Sequence, residues 1–316
     1  MSALPQSDPS IADIACHSSD EILAHSRFPA ARAAFVDAVL GLYEGDAFLN
    51  RLLLEAGRMV IFNTIICLHA GYDEADRTTW PTMSLLQEVM TQFGLASPRR
   101  IEDLVARLIH SGLLESVVSQ RDRRFGILTP TARMLSLDRD WLSAHYQPLH
   151  VMFPDPGYAS PVRRDPPFQQ QQRRVAIGFF ALGAQVLAGN PAMMLFLGRD
   201  AGVMVLIKLI QMMGDRARSP EGLSYTDLGA RFGVSRTHVR GLLQDAEQAG
   251  LISLSGRGGR FVEPKPAILQ AFDRFVAESM SGHDLLFRLA IGRLAGTGRG
   301  LRARNVERTP GGVSAL

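Results

Sequence analysis

The sequence predicts a mainly α-helical fold with two small β-wings, in which one structural unit is built twice. Three observations carry that expectation. A hydrophobic fraction of 46% with 21% charged residues is globular, and 316 residues are enough for two domains of ordinary size. The chain repeats itself internally, and both copies pair helical apolar spacing with an arginine-tipped hairpin segment.

The repeat organises the elements. Glu55-Ala56-Gly57-Arg58-Met59-Val60-Ile61-Phe62 matches Asp200-Ala201-Gly202-Val203-Met204-Val205-Leu206-Ile207 at an offset of 145. The same offset pairs Phe35 with Phe180, Leu42 with Leu187, Leu52 with Leu197 and Ile65 with Ile210. Phe93-Gly94-Leu95 then answers Phe232-Gly233-Val234. Ser97, Ile101, Leu104, Gly112 and Leu113 answer Ser235, Val239, Leu242, Gly250 and Leu251 at an offset of 138. Each half opens with a helix (28–43 and 170–188) that ends at a turn, Glu44-Gly45-Asp46 or Gly189-Asn190-Pro191. A long apolar helix follows (47–70 and 192–215), then three shorter elements and a hairpin. The expected divisions are an N-terminal segment (1–27), a first unit (28–152), a Pro-rich linker (153–168), a second unit (169–290) and a basic disordered tail (291–316).

In the second half, Ser224 caps a short helix over Tyr225–Phe232, and Gly233 allows the tight turn after it. Ser235 caps the next helix, whose Val239, Leu242, Leu243 and Ala246 form one buried stripe. Arg236, Thr237, His238 and Arg240 project from the opposite face of its first turns. A recognition helix needs its donors for base edges and phosphates there. After Gly250 come two short strands around a glycine-arginine tip carrying Arg257 and Arg260, a shape suited to grip adjacent DNA backbone. In the first half, Thr82–Phe93 is the positioning helix. Ser97-Pro98 opens a helix with a buried stripe of Ile101, Leu104, Val105 and Leu108 and with Arg99, Arg100, Asp103 and Arg107 exposed. An i,i+4 pair with Asp103 explains Arg107 equally well. The hairpin Val117–Leu128 has the tip Arg121-Asp122-Arg123-Arg124, which adds Arg121, Arg123 and Arg124 to the candidate DNA contacts.

Through "SGLLESVVSQRDRRFGILTPTAR" and "YTDLGARFGVSRTHVRGLLQDAEQAGLI", the chain resembles winged helix-turn-helix regulators of the MarR type over about 55–60 residues in each half. The resemblance implies a bacterial transcriptional regulator, a repressor by analogy, whose partner is double-stranded DNA. Such proteins are homodimers of about half this length, so here one chain stands for a dimer with pseudo-two-fold symmetry. The reading residues differ between the halves, which implies an imperfect inverted repeat as the operator. A tandem winged-helix replication initiator, binding direct repeats, and a winged-helix adaptor that binds protein are the alternatives.

The remaining features narrow the class. The net charge of +3 sits in the tail, where five arginines face Glu307 alone, so a nucleic-acid partner rests on where the arginines lie. The tail is either a solubilising end or a DNA clamp. Two isolated cysteines, Cys16 and Cys67, suit a reducing, cytoplasmic setting and exclude a disulfide framework and a zinc site; no signal peptide is evident. Val175–Gly198 carries no charge, but Gly189-Asn190-Pro191 divides it, so two buried helices are expected rather than a membrane span. No catalytic constellation or phosphate loop has the required context, so neither an enzyme nor a cofactor is expected. His69, Tyr72, Trp80, Met212 and Met213 sit where the scaffold meets the DNA-binding units. Either core packing or a small-molecule effector pocket accounts for them. Oligomeric state beyond the single chain is left open.

Overall fold

Residues 14–43, 47–93, 96–214, 223–259 and 261–306 are described in the computed structural model. Capping chemistry sets where most helices begin. Ser18 opens α1 (Ser19–Ala24) through a reciprocal capping box with Glu21. α2 (Phe28–Tyr43) and α3 (Ala47–Leu53) follow, and then Glu55, in extended backbone, starts α4 (Ala56–Ala70) by accepting from the Gly57 and Arg58 N–H groups at 3.1 Å. α5 (Met83–Phe93) leads to α6 (Pro98–His110), where Ser97 is N-cap and Pro98 takes the first turn. β1 (Leu114–Val118) and β2 (Gly126–Pro130) pair antiparallel, Leu114 opposite Pro130 and Val118 opposite Gly126. α7 (Ala132–Met152), α8 (Ala159–Val162), α9 (Pro166–Ala176), α10 (Phe180–Ala188), α11 (Pro191–Leu197) and α12 (Gly202–Gly214) build the middle of the chain. α13 (Tyr225–Phe232) and α14 (Arg236–Gln248), capped by Ser224 and Ser235, precede β3 (Ile252–Ser255) and β4 (Phe261–Pro264), paired Ile252 to Pro264. α15 (Pro266–Val306) closes the fold.

The protein is therefore mainly helical with two small antiparallel hairpins. Each hairpin follows a pair of helices, and the helix before it ends alike in both halves. Gly112 and Gly250, matched in the repeat, hold φ of 71° and 72°, a left-handed conformation that a side chain would strain.

Several expected boundaries change. The helices at 47–70 and 192–215 are each broken in two, at Leu54-Glu55 and at residues 198–201, which are matched places in the repeat. At the first break Glu55 recaps the backbone instead of continuing the helix. The helix expected at 170–188 begins at Pro166 and is interrupted by a 3-10 turn over Ile177–Phe179. The 153–168 stretch is no loose linker. Tyr158 is buried and its hydroxyl donates to Asp284 Oδ1 at 2.8 Å. The N-terminal segment also belongs to the core through Ile22, and the expected disordered tail is helical through Val306. The Glu44-Gly45-Asp46 turn and residues 307–316 lie outside the described residues.

Two hydrophobic cores result. The larger unites both halves: α1, α2 and α7 pack with α9, α11, α12, α13, α14 and α15 around Phe35, Tyr146, Phe168, Phe196, Leu243 and Phe272. The smaller belongs to the first half alone, joining α3 and α4 to α5, α6 and the β1–β2 hairpin around Ile65, Leu86, Met90, Leu104 and Leu108.

Matched residues of the repeat meet in the larger core. His145 of α7 and His283 of α15 also stand 138 apart, and their rings stack at 5.4 Å. Each Nδ1 donates to the carbonyl four residues earlier, Trp141 at 2.8 Å and Ser279 at 2.7 Å. Burial is the leading cause that drives both imidazoles toward the neutral form, His145 to about 3 and His283 to about 4. Beside them Arg173 and Asp138, both buried, form an ion pair completed by Gln169, whose amide donates to Asp138 at 2.7 Å. Multiple hydrogen bonds of this kind offset part of the cost of burying two charges.

Candidate nucleic-acid interface

The residues singled out on the two helices after each turn fall on exposed faces. Ser97 accepts from the Arg100 N–H and Ser235 from the His238 N–H, so both fix the first turn of their helix. Arg99, Arg100, Asp103 and Arg107 are exposed on α6. Arg236, Thr237 and Arg240 are exposed on α14, and His238 is half-buried. Opposite each face lies the expected apolar stripe, Ile101, Leu104, Val105 and Leu108 in one helix and Val239, Leu242, Leu243 and Ala246 in the other. Burial of the stripe decides which side of the helix the basic groups occupy.

The basic residues divide into two groups. Arg99, Arg121, Arg123, Arg236 and Arg257 are exposed and make no ion pair among the described residues. Arg100, Arg107, Arg124 and His238 are engaged inside the protein. The Arg107 Nε donates to the Asp103 backbone carbonyl at 3.2 Å, so the expected side-chain pair is replaced by a bond to the preceding turn. Arg124 and Arg77 both bind Asp122, at 2.7 and 3.0 Å, and hydrogen bonds from Arg124 hold that carboxyl well below the usual carboxylate range. The first hairpin tip is thus internally braced. In the second, the Tyr225 hydroxyl of α13 donates to the Gly259 carbonyl. Arg260 lies outside the described residues.

Arg100 and His238, matched in the repeat, have matched partners. Arg100 Nη2 reaches Glu55 Oε2 at 3.2 Å, and His238 Nε2 bonds the Asp200 carbonyl at 2.8 Å. Glu55 and Asp200 are themselves matched. Arg58 joins them, forming one ion pair with Asp200 and lying 3.7 Å from Glu55, while the Ala201 N–H donates to the Leu54 carbonyl at 2.6 Å. A continuous polar chain, Arg100–Glu55–Arg58–Asp200–His238, therefore runs from α6 to α14. In the repeat Glu55 and Asp200 appear only as a matched acidic pair, and Arg58 stands opposite Val203. Nothing in the spacing signals that the two copies would touch there.

Two cavities adjoin this region. One of about 210 Å³ lies between the start of α4 and α6 and is lined by Arg58, Arg100, Asp103 and Arg107. The other, about 320 Å³, is lined by Leu42, Tyr43, Phe62, Asp140, Trp141 and Arg164. His69, Tyr72, Trp80, Met212 and Met213 line neither. Trp80 is buried edge-on to Phe125, with the Arg77 guanidinium 5.5 Å from its ring. His69 and Tyr72 are half-buried at the end of α4, burial lowers the His69 pKa, and Met212 packs against the larger core. Packing accounts for Trp80 and Met212, and the five do not assemble around either cavity.

Among the described residues no group of three or more His, Cys, Asp or Glu is placed to hold a metal ion. Among the described residues no single helix is long and apolar enough to cross a membrane, and the pair Pro166–Ala188 with Pro191–Leu197 is bent by 111°. No protein-family model matches the chain, and no curated protein or solved structure is similar to it.

Proposed function

We propose that this protein is a sequence-specific double-stranded DNA-binding regulator that presents two winged helix-turn-helix units from one chain, with α6 and α14 as the reading helices. One observation carries the reading. Both helix pairs place unpaired arginines at the first turn of the second helix and at the following hairpin, Arg99 with Arg121 and Arg123 in one half, Arg236 with Arg257 in the other. Donors at these positions suit base edges in the major groove and phosphates beside it. The stacked His145–His283 pair and the Glu55–Arg58–Asp200 bridge support a pseudo-two-fold relation between the units. Repression, through exclusion of polymerase from a promoter, is the mode we favour, and the operator is an imperfect inverted repeat.

The test is retention of sheared genomic DNA at near-physiological salt, followed by sequencing. Enrichment of a few fragments sharing an imperfect inverted repeat is expected. In those fragments Arg99→Ala and Arg236→Ala should each relax base preference in one half-site, by about 1–3 kcal/mol. Direct repeats at one locus would identify a replication initiator instead. Absence of binding even at low salt would leave a protein-binding adaptor.

A further inference from the structure

The apolar stretch that interrupts the second half has an unusual placement. All nine residues of α10, Phe180-Ala181-Leu182-Gly183-Ala184-Gln185-Val186-Leu187-Ala188, are uncharged, yet none is buried. Its counterpart in the repeat is the C-terminal part of α2, which is buried against α7 and α12 through Phe35, Val36, Val39 and Leu40. The 3-10 turn at Ile177–Phe179 separates α10 from α9, and α10 rests on the side of the molecule against α5 and α11. The Asn190 side chain fixes the following turn by donating to the Ala271 carbonyl at 2.9 Å.

The outward positions of the two copies carry different chemistry. Where α2 presents Asp37 and Gly41 to solvent, the matched positions of α10 present Leu182 and Val186, 48% and 38% exposed. The duplicated helix thus carries an exposed apolar pair where its counterpart has an acid and a glycine, the kind of feature that marks an interaction surface. Leu182 and Val186 stand four residues apart and form a ridge. Ala181, Gly183 and Ala188 beside it are small, and a side chain at Gly183 would meet open space. A ridge of this kind packs into a groove, and the small-residue flanks of an identical helix supply one.

We propose that the exposed face of α10 is the surface through which two copies of this chain associate about a two-fold axis. A second copy fits the chemistry of the face for two reasons. It holds no charge, so self-approach brings no like charges together, and its one polar side chain, Gln185, has both donor and acceptor and can pair with its own copy. An anionic lipid surface would be held by the arginines flanking the stretch, and these are engaged elsewhere. Arg173 pairs with Asp138, Arg174 donates to the Ala70 carbonyl at 3.0 Å, and Arg199 pairs with Asp245.

Sedimentation equilibrium of the full chain tests this without DNA. The expected mass is twice 34.6 kDa. Val186→Glu should weaken association by about tenfold or more, because a central apolar anchor is replaced by a charge, with an unchanged circular dichroism spectrum. Gln185→Cys should cross-link to itself under mild oxidation while Asp37→Cys on α2 does not. A monomer at every concentration would overturn the proposal. So would a dimer that tolerates Val186→Glu and leaves Gln185→Cys uncross-linked. Flotation of a monomer with phosphatidylcholine–phosphatidylglycerol vesicles would assign the face to lipid instead.

Discussion

The two helix pairs are alike in their frame and unlike in what surrounds it. Both have a serine N-cap, a four-residue apolar stripe and a left-handed glycine before the hairpin. Yet α5, α6 and the β1–β2 hairpin close a core of their own with α3 and α4, while α13 and α14 are continuous with the core that holds the whole molecule together. The exposed first-turn positions have also parted: Pro98-Arg99-Arg100 in one helix is matched by Arg236-Thr237-His238 in the other. A duplication preserves what backbone geometry demands, and it leaves free the positions that geometry does not constrain.

The difference in cores gives the largest expected effect. Leu104→Ala and Leu243→Ala each remove a fully buried side chain and should cost about 2–5 kcal/mol. Hydrogen exchange should separate them. Loss of protection from Leu104→Ala should concentrate in residues 83–130, and that from Leu243→Ala should spread to α2, α12 and α15. Identical footprints would erase the distinction between the halves.

The stacked histidines test where the halves are alike. Both have folded values depressed below the ordinary 6.5, so the unfolded chain takes up their protons first. Their contribution to stability is complete above about pH 6.5 and is lost as pH falls toward about 4 for His283 and about 3 for His145, by about 1.4 kcal/mol per pH unit for each. In denaturant titrations across that range, His145→Gln and His283→Gln should each remove one proton from the slope. A variant that leaves the slope unchanged would mean its imidazole titrates normally.

The smallest effect on stability and the most informative on binding should come from Arg58→Ala. Asp200 is half-exposed, so losing this pair should cost no more than about 1 kcal/mol. Because Arg58 links Glu55, which holds Arg100, to Asp200, whose carbonyl holds His238, its removal should broaden the half-site spacings selected from a DNA library. Selection of a single spacing by both proteins would show that the larger core alone sets the geometry.

Much of this was legible in the chain itself. Ser97, Ser224 and Ser235 announce helix starts, Gly112 and Gly250 announce helix ends, and the apolar stripes state which face of α6 and α14 is buried. These are local signals, settled within one or two turns of backbone. The breaks at Glu55 and Asp200 were hidden because apolar residues at helical spacing resume on both sides of each, and the contact between the copies at Arg58 and Asp200 is not written in either segment. The Arg173–Asp138 pair was hidden for a similar reason, since its partners stand 35 residues apart and neither charge reads as buried in its own segment.

By itself, then, the sequence determined the helical class, the duplication, the two hairpins and the side of α6 and of α14 that carries its arginines. Capping, glycine and amphipathic spacing act over a few residues and need no partner. Tertiary structure alone decided that His145 meets His283, that Arg100 and His238 are tied back to the scaffold, and that α2 is buried where α10 is bare. Those outcomes depend on which distant surfaces come together, and no local pattern of residues encodes that pairing.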